Sequence, residues 1–328
     1  MTETRKDYFP EMVGQEKTKR IMSFYIDSFK ESSILPNVFI TAQRGQGKTM
    51  LATQIASNLY SKGLARVKPL LTINSSTLKN VRQFIEEIVV QYVQDQEITV
   101  FFDEIHELPE SIQTILLTVL NPNKTNRNTL RFETHCIEFD FTKVSFIFAT
   151  TDPQRVIMPL KDRCKMIHMD EYNYADLAKI VAANSEDLTF DDGLLEEISS
   201  TCRGNARNAT LMAKDNIVQY AKRGGITHIG GKEWNDIKRI LGILPLGLET
   251  TELYVLRILK ERGNCSLTNL SAVTGLSPNA IRSEFEIYLL KHGLMEVAQG
   301  GRRITSKGIE YLRAITPPQK PLDNITIT

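Results

Sequence analysis

The stretch Ala42-Gln43-Arg44-Gly45-Gln46-Gly47-Lys48-Thr49 constrains this chain more than any other. It follows a short apolar run, 37–41, and opens a helical pattern over 48–60. Strand, glycine-containing loop and helix in that order make a cradle for phosphate, because backbone N–H groups and the helix N-terminus turn positive potential toward an anion. Lys48 is expected to reach the β- and γ-phosphates of a nucleotide, and Thr49 to offer its hydroxyl to Mg²⁺. Gly45, Gln46, Gly47 and Met50 complete the expected nucleotide-contacting stretch. Position 42 usually holds glycine in such loops. If it required positive φ, Ala42 would cost about 1 kcal/mol or more.

A second element supports the first. Ile98-Thr99-Val100-Phe101-Phe102 reads as a buried strand running into Asp103-Glu104. Carboxylates at the C-terminal edge of a parallel sheet face its ligand crevice. Asp103 is expected to hold Mg²⁺, and Glu104 to orient and deprotonate an attacking water. Taken alone, the same pair also reads as an acidic helix cap. Further strands are expected at 69–74, 137–142 and 144–149, with helices over 78–92 and 109–120 between them. This alternation predicts a mostly parallel sheet covered on both faces. At the end of the 144–149 strand, Thr151 or Thr150 is placed to hydrogen-bond the γ-phosphate or its water, though either also reads as a plain strand-end cap. Arg163 and Arg207 lie outside the loop elements.

After His168 the strand signal fades into helices near 174–184, 192–201, 205–222 and 232–241. The C-terminal part changes pattern again. Two helices, 250–261 and 267–273, precede a turn at Thr274-Gly275-Leu276. Ser277 as N-cap and Pro278 at the first helical position then start a third helix. A hairpin with the tip Gly300-Gly301-Arg302-Arg303 and a last helix complete the order of a winged helix. The chain is near neutral, with a net charge of +1 over 328 residues, which argues against a non-specifically sticky basic coat. From Pro245 onward the balance is +2, and the tip arginines make Arg302 and Arg303 the expected DNA-backbone contacts. The four cysteines form no C-x-x-C pair and fit a reducing compartment, so a cytoplasmic protein is expected. The N-terminal residues have no apolar core of a signal peptide, and no apolar run is long enough to span a membrane.

These motifs, in this order, resemble the AAA+ ATPases and, within them, the RuvB family of Holliday-junction branch-migration motors, from about Tyr8 to Tyr311. Asp103 to Leu108 resembles the family's Walker B segment, Phe148 to Thr151 its sensor 1, Pro159 to Arg163 its arginine-finger stretch, and Arg203 to Arg207 its sensor 2. The resemblance implies an α/β P-loop AAA+ domain (a parallel sheet with helices on both faces) over 1–171, a helical lid over 172–244 and a winged-helix DNA-binding domain over 245–316. A disordered tail is expected over 317–328. It also implies ATP with Mg²⁺, a hexamer, and branched or duplex DNA as partner. Val13-Gly14-Gln15, with Tyr8 nearby, would line the adenine pocket. Arg207 would touch the γ-phosphate from the lid. Arg163 would act on ATP held by the neighbouring subunit, a contribution of about 10³–10⁵ in rate for such fingers. A RuvA-type junction-binding partner is implied too, but the stretch Asn121–Asp140, which corresponds to the family's partner-binding hairpin, is divergent. Asp162-Arg163-Cys164 is also similar to a stretch of clamp-loader subunits. An ATP-loaded adaptor on DNA, without translocation, is the alternative activity.

Overall fold

The computed structural model of the protein describes residues 7–61 and 66–315. The expected tail, 317–328, lies outside the described residues. The chain divides into two compact units, Met1–Ile229 and Gly230–Thr328.

In the first unit the strands are β1 (Val38–Thr41), β2 (Leu70–Asn74), β3 (Ile98–Asp103), β4 (Arg127–Phe132), β5 (His135–Asp140), β6 (Val144–Thr150) and β7 (Lys165–His168). A short parallel pair, β8 (Thr189–Phe190) and β9 (His228–Ile229), lies among the later helices. Five strands form a wholly parallel sheet in the order β2-β3-β6-β1-β7. The sequence explains why the middle is so apolar. Phe39, Val100, Phe102, Phe146 and Phe148 enter one core with the helices over 81–93 and Glu110–Val119. Val38, Ile40, Phe101, Ile147 and Ala149 enter the opposite core with Glu16–Ser32 and Lys48–Ala56. Strands buried on both faces read as continuous apolar runs, not alternating ones. Burying each such side chain contributes about 1.5–3 kcal/mol. The rings of β1, β3 and β6 also meet one another: Phe102 stacks on Phe148 at 5.4 Å, and Phe148 touches both Phe146 and Phe39.

Two expectations change. The strand anticipated at 137–142 exists, as β5, but it pairs antiparallel with β4 in a hairpin outside the sheet. Ile137 and Phe139 point inward while Cys136 and Glu138 are exposed, the half-buried pattern of a ribbon lying on a core. The sheet also has an edge strand that was not anticipated: β7 lies beside β1, with Ile167 alone of its four residues buried.

The second unit starts with Gly231–Leu241 and continues as Thr250–Arg262, Leu267–Thr274, a helix over 278–291, the hairpin β10 (Met295–Ala298) and β11 (Gly301–Ile304), and Ser306–Ile315. The N-cap anticipated at Ser277 is present, and the last helix is capped by Thr305. Ser277 Oγ accepts the Ala280 N–H at 3.1 Å, and Thr305 Oγ1 accepts that of Gly308 at 3.1 Å. A core joins the helices from Thr250 onward through Leu256, Leu259, Leu270, Ile281 and Leu289. No helix among the described residues is long and apolar enough to cross a membrane.

Candidate functional site

The parallel sheet brings three strand ends side by side, β3, β6 and β1, and each carries one of the motifs. β1 delivers the loop. Gly45 and Gly47 sit at φ +80° and +89°, where a side chain would strain the backbone. Ala42 does not: it is absent from the positive-φ residues, and its N–H continues toward Thr150 O at 3.4 Å. The cost anticipated for alanine there therefore does not arise. Helix Lys48–Ala56 begins with Gly47 and no side-chain cap, which leaves its first N–H groups for an anion.

Lys48 is 6% exposed, and its ammonium donates to the carbonyls of Ala42 (3.2 Å) and Gln43 (3.3 Å). Burial lowers its pKa. Glu104, 3.8 Å away, and Asp103 pull it back up, and Arg207 lowers it further. A buried ammonium in this balance suits an anionic ligand. Thr49 Oγ1 lies 3.4 Å from Asp103 Oδ2. Among the described residues no cluster of three or more His, Cys, Asp or Glu side chains could hold a metal ion alone. Thr49 and Asp103 offer hard oxygens of the kind that hold Mg²⁺ when phosphate and water complete its shell.

Glu104 occupies the left-handed region at φ +50°, ψ +53°, unusual for a residue with a side chain. Its carboxylate is pinned: the Thr151 N–H and Oγ1–H both donate to Oε2, at 2.9 and 3.0 Å. His106 Nδ1 stands 3.3 Å from the same oxygen and 2.8 Å from Thr150 Oγ1. Thr151 meets Glu104, while Thr150 is buried against His106 and accepts the Asp152 N–H.

A cavity of about 790 Å³ opens over these groups. Val13, Gly45, Gly47, Lys48, Thr49, Met50, Asp103, Glu104 and Arg207 line it, as do Tyr172 and Ile180, which the sequence did not single out. Nothing about Tyr172 resembles a motif; it arrives by the turn after β7, and burial raises its hydroxyl to a pKa of about 12. Gln46 is buried and bonds Gly204 O at 2.9 Å.

Three expected residues stand elsewhere. Tyr8 does not line the cavity: it is 4% exposed in the core beside helix Glu16–Ser32, and its hydroxyl engages Asp27 and Lys30. Arg163 does not line it either; its guanidinium donates to Pro159 O at 2.8 Å, and it borders a separate pocket with Asn121 and Leu35. Arg302, expected on DNA, is 13% exposed in its side chain and forms a forked ion pair with Glu286 at 3.1–3.3 Å. Register explains it: Arg302 lies opposite Val297 on the wing, with its side chain turned onto the third helix. Arg303 remains exposed and pairs with Glu296.

Comparison with known proteins agrees with this geometry. Residues 38–171 match the family model "ATPase family associated with various cellular activities (AAA)", and residues 245–313 match "RuvB C-terminal winged helix domain". The Holliday junction branch migration complex subunit RuvB of Mycoplasmopsis pulmonis is 27% identical over 330 residues, covering 95% of this chain and 98% of that protein. The subunit of the same name from Pediococcus pentosaceus is 27% identical over 311 residues, covering 92% and 89%. The solved structure of the Thermotoga maritima RuvB Holliday junction branch migration motor superposes with a TM-score of 0.73 over 95% of this chain and 99% of that one; at 22% identity this is a likeness of fold. The chain thus joins an AAA ATPase domain in its first part to a RuvB-type winged helix in its last, and is similar over most of its length to RuvB proteins.

Proposed function

We propose that the chain hydrolyses ATP in a hexameric ring and uses the energy to move branched DNA; its curated relatives are named as subunits of a Holliday junction branch migration complex. One observation carries the ATP-site reading: the carboxylate of Glu104, clamped by Thr151, faces the cavity that Lys48, Thr49, Asp103 and Arg207 also line. In this reading the N–H groups of Gly45, Gln46, Gly47 and the helix start hold phosphate, and Lys48 neutralises its β- and γ-oxygens. Thr49 and Asp103 hold Mg²⁺, which when bound screens the charge that develops on the phosphates. Glu104 aligns water and takes its proton, Thr151 keeps Glu104 in place, and Arg207 approaches the γ-phosphate from the helical lid over 172–244. Val13, Met50 and Tyr172 border the nucleoside side. Arg163, bound to its own Pro159 and away from the cavity, is assigned to the neighbouring subunit's ATP.

On the DNA side, the winged-helix domain over 245–316 touches the phosphate backbone, with Arg303 as the contact that survives from the tip. The engagement of Arg302 by Glu286 favours a second reading, an ATP-loaded adaptor that assembles on DNA without translocating. The test has two arms. Glu104→Gln should bind ATP with wild-type affinity and turn it over about 10²–10⁴-fold more slowly; unchanged turnover removes Glu104 as the base. ATP-dependent strand exchange on a synthetic four-way junction supports the motor, and its absence with intact hydrolysis supports the adaptor.

A further inference from the structure

The loop that cradles phosphate is tied to the segment that begins the helix carrying Arg207. Asn205 Nδ2 donates to Arg44 O at 2.8 Å. The Arg207 N–H donates to Gly45 O at 3.1 Å. In return, Gln46 Nε2 donates to Gly204 O at 2.9 Å. Three consecutive loop residues are thus bonded to three residues of one short turn, with a side chain contributed from each side. Asn205 serves two tasks at once. Its Oδ1 caps helix Ala206–Leu211 by accepting the N–H groups of Arg207 (2.9 Å) and Asn208 (3.2 Å). Its Nδ2 is then aimed at the loop. The carboxamide lies so close over Gly45 that a Cβ there would collide with it.

The chemistry of these bonds is one-sided. On the loop side, the carbonyls of Arg44 and Gly45 are the acceptors, so the bonds hold them without consuming loop N–H groups. The turn acts as a clasp on the back of the phosphate cradle. Swinging the Arg207 helix away would require breaking all three bonds. Gln46 is 2% exposed, so its freed amide would have to find another partner or lie unpaired.

We propose that Asn205 and Gln46 are positioning residues that form a two-way latch between the phosphate loop and the lid and set how fast bound nucleotide leaves. The inference rests on the ATP-site reading above, and it concerns release, not the chemical step. The two residues act through the loop and through Arg207.

The test uses the full chain and a fluorescent N-methylanthraniloyl-ADP chased with excess ATP in a stopped-flow instrument. Asn205→Thr keeps a capping hydroxyl and loses the donor to Arg44. Gln46→Leu loses the donor to Gly204 and touches no cap. Each should speed ADP release about three- to tenfold, the factor for one neutral hydrogen bond. The melting temperature of Asn205→Thr should stay within about 2 °C of wild type, because its cap persists. Wild-type release rates in both variants overturn the latch. So does fast release in Asn205→Thr alone, which confines the effect to the start of the helix. A wild-type protein that captures no ADP analogue and no ATP fails at the site reading instead, a result separate from normal capture with unaltered release.

Discussion

Glu104 shows what one residue can be made to tolerate. Its left-handed backbone costs of order 1–3 kcal/mol for a residue with a side chain, and the two hydrogen bonds from Thr151 hold its carboxylate where that backbone puts it. Lys68 carries a different burden. It is 2% exposed, its ammonium donates to Thr142 O at 3.0 Å, and it stands 4.8 Å over the Phe29 ring. Burial drags its pKa from 10.5 to about 8, against the pull of Glu97 and Asp140. Between those two values the unfolded chain holds a proton there that the folded chain has released, so stability contributed at this site rises with pH across that window. Below about 8 both states are protonated, and the folded state bears the full cost of a buried charge. Lys68→Met should therefore flatten the increase in stability between pH 8 and 10 and raise the urea midpoint at pH 7. A steeper pH dependence in the variant would contradict this.

At the scale of elements, the wing behaves as a brace. Arg302 and Glu286 are both largely buried, so deleting one leaves the other charged and alone. Arg302→Ala should lower the stability of the winged helix by about 3 kcal/mol, read as a fall in melting temperature, while Arg303→Ala should leave stability nearly unchanged. Equal effects of the two substitutions would reject the assignment of Arg302 as structural. What could be read from the chain beforehand follows the same logic of locality. The phosphate loop, the Asp103-Glu104 strand end and the Ser277-Pro278 helix start were legible because each is a contiguous signature with its own physical cause. β7 was not, because Lys165, Met166 and His168 are exposed and leave only Ile167 as an apolar signal. β4 was hidden by its polar run Arg127-Asn128-Thr129. The pairing of Arg302 with a glutamate 16 positions earlier has no sequence signature at all. Asn205 announced a helix start, but its second bond, to a loop 161 positions away, could only come from the fold.

At the scale of the whole molecule, the proposed ring would make each subunit half of two different sites, because Arg163 stands away from its own cavity. Mixed with wild type, Arg163→Ala subunits should depress ATP turnover by more than their fraction of the total, measured by titrating the mixture at constant protein concentration. A straight line with composition would argue that each copy works alone. The sheet has a reach of its own. Phe39, Phe102, Phe146 and Phe148 knit together the strands that carry Lys48, Asp103 with Glu104, and Thr151. Trimming any one of those rings would leave a cavity beneath several of the groups assigned to the site at once. A random screen for dead variants should consequently recover lesions in this oily floor alongside those in the pocket, and on an activity plate the two kinds would look alike.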